Sequence, residues 1–161
     1  MRGPPVSFEI RPVGWVRSPR GEIRYDDWGG LVSEIEIDGD MFAEDSLLGI
    51  EGFSHLEVVF LFDRIPVAEI VTGALYPRGR VDLPKQGIFA TRAIHRTNRL
   101  AVSRCELLAR DGLRLRVSGL DAIDATPVID IKPYIAEFGP RGETRQPVWM
   151  SDLLARYYSP G

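Results

Sequence analysis

The chain has 161 residues, of which 44% are hydrophobic and 27% are charged, and this suits one domain, residues 1–161, with a single core. No stretch approaches the roughly 18 apolar residues that span a bilayer, and the first five residues lack the apolar stretch of a secretory signal. One cysteine and two histidines offer few zinc ligands. We therefore expect a cytoplasmic protein with no membrane segment and no metal site.

Charge is unevenly distributed along the chain. The formal net charge is −3, but residues 78–104 contain seven Lys/Arg and one acid, which gives +6 there and −9 elsewhere. A basic segment on an acidic body is typical of proteins that bind polyanions. The alternative is a solvated strand face whose arginines pair with acids elsewhere, and the charge pattern alone does not separate the two.

Apolar residues that alternate or run continuously predict a series of short strands. In chain order these strands cover residues 8–16, 31–37, 58–62, 87–92, 100–108, 113–117 and 128–131. The Asp111-Gly112 pair predicts a hairpin between two of them. Residues 58–62 are continuously apolar, which predicts a strand buried on both faces.

Helical patterns are few. Residues 40–48 predict one short helix, with Asp40 as N-cap and Gly49 at its end, and residues 151–158 predict a second, capped by Ser151. Neither is long enough to connect parallel strands. The pattern therefore predicts an all-β fold, an antiparallel barrel or sandwich with one or two short helices.

Common catalytic and nucleotide-binding motifs are absent. The sequence contains no P-loop, no Gly-x-Gly-x-x-Gly, no Gly-x-Ser-x-Gly, no His-Glu-x-x-His and no Cys-x-x-Cys. Cys105 lies within a predicted strand and is interpreted as a small buried hydrophobic residue. His55 is interpreted as a structural hydrogen-bonding residue rather than a catalyst.

Four sequence blocks, in order, resemble the TsaA-like (TrmO/YaeB) family of S-adenosylmethionine-dependent tRNA methyltransferases. The blocks are Arg-Ser-Pro at 17–19, Gly-Ile-Glu-Gly-Phe-Ser-His-Leu at 49–56, Gly-Ile-Phe-Ala-Thr-Arg at 87–92, and Asp-Ala-Thr-Pro-Val-Ile-Asp-Ile-Lys-Pro-Tyr at 124–134. The resemblance covers nearly the whole chain. It implies a mainly antiparallel β-barrel, a homodimer, and methylation of N6 of N6-threonylcarbamoyladenosine at tRNA position 37.

Two departures from the family pattern stand out. After Thr-Arg the family reads Ser-Pro-Phe-Arg-Pro-Asn-Pro-Ile-Gly, whereas residues 93–101 here retain only Arg96 and Asn98 of its polar positions and lose three prolines and a glycine. A less rigid loop is expected there. Ala125 replaces a family glycine, which argues against a positive φ at that position.

The resemblance also implies the site residues. Those expected to bind S-adenosyl-L-methionine are Gly30, Leu31, Asp63, Arg64, Thr91, Arg92, Arg96, Asn98, Asp124, Ala125, Thr126, Pro127 and Val128. Arg96 is favoured for the cofactor carboxylate, because a guanidinium binds a carboxylate in a bidentate manner. Asp124 is alternatively a turn-capping residue. Within the basic segment and the loop that leads into it, the residues expected to bind tRNA are Tyr76, Arg78, Arg80, Lys85 and Arg99.

The retained block at 124–134 also supplies the candidate catalytic residues. Asp130 or Tyr134 is a candidate to accept the proton that leaves N6, and Lys132 is a candidate to hold a phosphate or the threonyl carboxylate. Alternation places Asp130 and Lys132 on one strand face, so a plain ion pair is the alternative. Two alternative functions remain: a methyltransferase with another acceptor, and a non-catalytic module that binds the cofactor or RNA.

Overall fold

The alternating segments form the strands of a closed antiparallel barrel. The computed structural model describes residues 6–159; the first five residues, where no secretory signal is expected, and residues 160–161 lie outside the described residues. The barrel order is β1–β2–β7–β6–β3–β8, and a two-stranded sheet pairs β4 with β5. The strands are β1 (Gly14–Arg17), β2 (Val32–Ile37), β3 (His55–Leu61), β4 (Ala74–Leu75), β5 (Gln86–Gly87), β6 (Leu100–Asp111), β7 (Arg114–Ser118) and β8 (Pro127–Pro133). The predicted all-β barrel is confirmed.

The core lies inside the barrel, where alternate residues of each strand meet. Leu56, Val58 and Phe60 of β3 are at most 2% exposed, while the residues between them are only half-buried. The prediction that this strand is buried on both faces is therefore wrong, because a barrel has one interior and the outer face of β3 meets only its neighbours. Cys105 is 2% exposed, which confirms it as a buried residue.

Strand β6 is long and changes partners along its length. Its first part pairs with β3, from Leu61↔Leu100 to His55↔Glu106, and its second part pairs with β7, from Glu106↔Ser118 to Asp111↔Arg114. The predicted hairpin is confirmed, with Gly112 at φ 56° in the connection. Residues 100–105 therefore have no β7 neighbour on that edge.

Two predicted strands differ from the structure. In place of a strand over 87–92, β5 is followed by a 3-10 turn (Ile88–Ala90), which the Thr91 hydroxyl closes by donating to the Ile88 carbonyl at 2.9 Å. In place of a strand over 8–16, only β1 forms. Pairing reaches back to Val13, whose amide donates to the Val128 carbonyl at 2.7 Å, but Pro12 has no amide hydrogen to donate and Phe8 is 85% exposed.

Both predicted helices are shorter or shifted. Residues 40–48 form only a 3-10 turn (Glu44–Leu47), with Gly49 left-handed at φ 85°. The second helix, α1 (Val148–Leu153), begins three residues before the predicted Ser151; Pro147 is its N-cap residue, where the missing amide hydrogen costs no helical hydrogen bond. The remaining 3-10 turns are Ile50–Gly52, Val67–Glu69, Pro77–Gly79 and Ala136–Phe138.

Because neighbouring strands are antiparallel, the connections alternate between the two ends of the barrel. The loops 18–31, 62–99 and 119–126 emerge at one end, which we call the rim. The loop 38–54 and the 112–113 connection emerge at the other end. Within residues 6–159, no helix has the length and apolar character to cross a membrane.

Candidate functional site

The predicted cofactor residues come from four separate segments, and the barrel brings them to the rim. Gly30 and Leu31 lie before β2, Asp63 and Arg64 follow β3, and the 124–126 turn leads into β8. The 91–98 segment belongs to the long rim loop before β6. This convergence is a property of the topology, since every one of these segments connects strands at the same barrel end.

Arg64 ties two of the rim loops together. Its Nη1 donates to the Gly21 carbonyl and its Nη2 to the Asp124 carbonyl, both at 2.9 Å. The Asp124 carboxylate in turn accepts a hydrogen bond from the Ser18 backbone amide at 3.0 Å. Asp124 therefore joins the 124–126 turn to the start of the loop 18–31, and both the cofactor contact and the turn-capping alternative stay predictions.

Ala125 has a φ of 64°, so the expectation that alanine excludes a positive φ here is wrong. Its amide donates to the Val16 carbonyl at 2.8 Å, and the Thr126 amide donates to the Ile123 carbonyl at 3.3 Å. These two hydrogen bonds fix the turn in a left-handed conformation that disfavours a Cβ by roughly 1–2 kcal/mol. The next residue, Thr126, is 4% exposed.

Left-handed backbone is concentrated at the rim. Among the described residues, four that are not glycine have a positive φ: Asp27, Arg78, Arg99 and Ala125. All four lie in rim loops. Backbone held in such conformations clusters at functional sites, where surrounding contacts over-determine it.

The 18–31 loop folds around one arginine that was not singled out from the sequence. Arg20 donates to the carbonyls of Asp26 and Asp27 at 3.1 and 2.9 Å, and its guanidinium carbon lies 4.3 Å from the centre of the Trp28 ring. A cleft of about 570 Å³ opens beside it, lined by Pro19, Arg20, Gly21, Glu22, Arg24 and Leu31. The cleft therefore shares Leu31 with the predicted cofactor site.

The 91–98 segment is a tight turn built on Thr91 and Arg96. The Ala93 amide donates to the Thr91 hydroxyl at 3.3 Å, and Arg96 Nη1 donates to the Thr91 and Ala93 carbonyls at 3.2 and 3.4 Å. Within residues 6–159 these Arg96 bonds use Nη1, which leaves Nε and Nη2 for a carboxylate. Arg92 donates to the Val102 carbonyl on the unpaired edge of β6, and Asn98 is exposed.

The basic segment is partly engaged with the protein itself. Arg78 forms a two-point ion pair with Asp26 at 2.8 and 3.0 Å, and its side chain is only 16% exposed. Arg99 donates to the Ile65 carbonyl at 2.9 Å. The other predicted RNA residues are more open: Arg80 pairs with Asp82 at the surface, and the Lys85 ammonium lies 5.7 Å from the Tyr76 ring centre.

A polar cluster beside β6 was missed from the sequence. The Tyr157 hydroxyl donates to Asp121 Oδ2, while Asp121 Oδ1 and the Ser103 hydroxyl are buried and have no hydrogen-bond partner among residues 6–159. Burial, and then the Asp121 carboxylate, raise the pKa of Tyr157 and of its neighbour Tyr158. Burial also raises the pKa of the Cys105 thiol to about 12, with Asp121 contributing.

The three candidate catalytic residues lie apart from this cluster, on or just after β8. Asp130 and Lys132 are on the same outward face, as alternation predicts, and they form an ion pair. Asp130 also accepts a hydrogen bond from the Ile131 amide at 2.9 Å. Tyr134 follows β8, and the Arg104 guanidinium lies 5.3 Å from its ring centre. His55, predicted to be structural, contacts the Ser54 hydroxyl through Nδ1 at 2.9 Å.

Possible metal ligands do not cluster in the described part of the chain. Among residues 6–159, no group of three or more His, Cys, Asp or Glu side chains is arranged to hold a metal ion. The pair formed by His95 and Glu69, 3.6 Å apart, is the one contact in which a described histidine meets a carboxylate.

Comparison with known proteins gives consistent matches. A probable S-adenosyl-L-methionine-binding protein of Methanothermobacter thermautotrophicus is 40% identical over 139 residues, covering 85% of this chain and 97% of that protein. The human tRNA (adenine(37)-N6)-methyltransferase is 34% identical over 122 residues, covering 73% of this chain and 26% of that enzyme. The crystal structure of TrmO from Pseudomonas aeruginosa matches with a TM-score of 0.73 at 27% identity, covering 92% of this chain and 64% of that one.

The lengths of these relatives differ. The chain spans about a third of a probable S-adenosyl-L-methionine-binding protein from Archaeoglobus fulgidus, to which it is 40% identical over 128 residues, 78% of this chain and 34% of that protein. Residues 27–139 match the family described as the tRNA-methyltransferase O N-terminal domain. That segment contains β2 to β8 and most of the rim, and the chain belongs to this family.

Proposed function

We propose that this protein is an S-adenosyl-L-methionine-dependent tRNA methyltransferase that methylates N6 of N6-threonylcarbamoyladenosine at position 37. The observation that carries the proposal is the convergence at the rim of the segments 30–31, 63–64, 91–98 and 124–128, with Arg64 linking two of their loops. Relatives named as adenine(37)-N6-methyltransferases support the same activity.

The rim suits a zwitterionic cofactor with a large aromatic base. Arg96 has guanidinium hydrogens left for a carboxylate, and Leu31 lines a cleft of adequate size. Bound S-adenosyl-L-methionine supplies an electrophilic methyl group. The role of the chain is to orient this methyl group. Arg64 holds the rim loops together through its hydrogen bonds, and the left-handed Ala125 turn presents backbone groups beside these loops.

We propose that tRNA meets the rim through the open part of the basic segment. Arg80 and Lys85 have exposed side chains, and Tyr76 is 40% exposed beside Lys85, so an unstacked base has an aromatic surface there. Arg78 and Arg99 serve this surface by fixing the loop, because their hydrogen bonds go to Asp26 and to the Ile65 carbonyl. Homodimer formation and a cytoplasmic location stay predictions.

The decisive test is a methyl-transfer assay with labelled S-adenosyl-L-methionine. The protein is incubated with two tRNA pools, one carrying the threonylcarbamoyl modification and one lacking it, and the nucleosides are then identified after digestion. Label confined to N6-methylated threonylcarbamoyladenosine supports the proposal and its substrate together. Label in another nucleoside overturns the substrate, and cofactor binding with no label in either pool overturns the activity.

A further inference from the structure

The turn at residues 154–159 packs against the rim although it lies outside the segment that matches the family, which ends at residue 139. The Asp27 amide donates to the Arg156 carbonyl at 3.1 Å, and the Trp28 amide donates to the Tyr157 carbonyl at 2.8 Å. A Cβ placed on Gly29 would lie 1.8 Å from the Tyr158 carbonyl oxygen. The turn is therefore in direct backbone contact with the loop that leads to Gly30 and Leu31.

The same turn also holds the opposite rim loop. The Tyr157 hydroxyl donates to Asp121 Oδ2, and Asp121 stands three residues before Asp124 in the loop 119–126. Asp121 Oδ1 is buried and has no partner, so within residues 6–159 Tyr157 is the side-chain donor on which this carboxylate depends. A buried carboxylate that loses its donor is strongly destabilised.

A third rim element meets Tyr157 as well. The Arg78 guanidinium carbon lies 6.0 Å from the centre of the Tyr157 ring, and Arg78 is fixed to Asp26 by its two-point ion pair. Tyr157 thus contacts all three rim loops: 18–31 through its carbonyl, 119–126 through its hydroxyl and 62–99 through its ring. Arg64, which lies in the loop 62–99, likewise links all three loops, through its hydrogen bonds to the Gly21 and Asp124 carbonyls.

We infer that Tyr157 is a positioning residue for cofactor binding, acting through its hydrogen bond to Asp121. The hydrogen bond sets the loop 119–126 against the loop 18–31, so that the predicted cofactor residues on the two loops face one cofactor together. The inference rests on the proposed function, because it concerns the cofactor site defined there. It assigns a role in that site to a segment outside the family match.

The test compares cofactor binding to the full chain and to Tyr157→Phe and Asp121→Asn variants by calorimetry with S-adenosyl-L-methionine. Both variants should bind about tenfold more weakly or worse, because a hydrogen bond to a charged group is lost or weakened. The matched control is Tyr25→Phe, which removes a hydroxyl from a 57% exposed ring and leaves that ring on Arg78; its affinity should equal that of the unmodified chain.

Kinetics and a double variant distinguish a positioning role of Tyr157 from a general loss of structure. In turnover assays the KM for the cofactor should rise more than kcat falls, and the Tyr157→Phe change should add little to Asp121→Asn, because both break the same contact. Affinities of both variants within twofold of the unmodified chain, with unchanged circular dichroism, would overturn the inference alone. Failure of the unmodified chain to bind the cofactor would instead overturn the proposed function.

A measurement on the unmodified chain covers the case in which the variants do not fold. Saturating S-adenosyl-L-methionine should slow amide hydrogen exchange in residues 154–159 as well as in residues 30–31 and 124–126. Slower exchange in the rim loops with no change in the 154–159 turn would contradict the inference.

Discussion

The rim and the outer face of β3, β6 and β8 both carry charged and polar residues, but they differ in how completely those residues are paired. On the outer face, charges are paired with one another: Arg104 of β6 with Glu57 of β3 at 2.8 Å, and Lys132 with Asp130 of the same strand, β8. At the rim, one carboxylate oxygen of Asp121 is buried and has no hydrogen-bond partner in the described part of the chain, and Ala125 has a left-handed backbone. The outer face satisfies its polar groups locally, whereas the rim holds groups that its own contacts leave strained or unsatisfied.

This difference indicates where function resides. Exposed ion pairs contribute roughly 0–1 kcal/mol each and are expected on any solvated strand. Buried polar groups without a partner and alanine with a left-handed backbone are both unfavourable, and folds retain them mainly at functional sites. The rim is therefore favoured as the functional site, and substitutions there should change folding stability more than equal substitutions on the outer face.

The largest effect is expected at Gly29. Replacing it by alanine places a methyl group against the Tyr158 carbonyl oxygen, 1.8 Å from the new Cβ, so the 154–159 turn must move. Overpacking of this kind destabilises by about 1–3 kcal/mol. Urea denaturation of Gly29→Ala measures the loss. The control is Gly52→Ala, where the added Cβ meets nothing within 4 Å, and equal stability losses in both variants would contradict the packing described here.

The next largest effect is a loss of folding stability at alkaline pH. The folded pKa of Cys105 is raised from 9.0 to about 12, so above pH 9 the unfolded chain releases a proton that the folded chain keeps. Stability is therefore fully present below pH 9 and falls as the pH rises toward 12, by at most about 1.4 kcal/mol per pH unit for each such group. The raised pKa values of Tyr157 and Tyr158 act in the same direction.

Thermal unfolding between pH 7 and 10.5 measures this loss. A Cys105→Ala variant should have a lower Tm at pH 7, because it leaves a cavity in the core, but a smaller fall in Tm as the pH rises. A variant whose pH dependence is as steep as that of the unmodified chain would show that the thiol does not contribute.

Local sequence patterns predicted most of the barrel, and they failed where distant residues decide the structure. Alternation in β2 and β7 and the Asp111-Gly112 hairpin depend on neighbouring residues, so they were predictable. The left-handed Ala125 turn depends on the Val16 carbonyl, and the partner of Arg78 lies 52 residues away. The resemblance named the rim segments, but the Tyr157–Asp121 contact, 36 residues apart, has no local signal.

A smaller and stabilising effect is expected at Ala125. Glycine adopts φ 64° without the Cβ penalty of roughly 1–2 kcal/mol, but it loses about 0.5–1 kcal/mol through greater freedom in the unfolded chain. Ala125→Gly should therefore raise the free energy of unfolding by about 0.5–1 kcal/mol, as measured by urea denaturation. Ala109→Gly, on the extended strand β6, is the control and should lower it. A loss of stability in Ala125→Gly would contradict the left-handed turn.

The smallest change in stability is expected on the outer face, at the Asp130–Lys132 pair. Its side chains are 46% and 62% exposed, so Asp130→Asn should change the free energy of unfolding by less than about 1 kcal/mol. We expect the fold to survive this substitution, so turnover reports on chemistry alone. If Asp130 accepts the N6 proton, the variant loses most of kcat while its affinity for S-adenosyl-L-methionine stays unchanged.

The matched substitution on the same face is Glu57→Gln, which removes the partner of Arg104 beside Lys132 in the strand register. It should leave kcat unchanged, since no role in the reaction is assigned to Glu57. Equal kcat values for Asp130→Asn, Tyr134→Phe and the unmodified chain would exclude both residues as acceptors of the N6 proton. The outer face would then be a solvated surface, and the acceptor of the N6 proton would have to be sought among the rim residues.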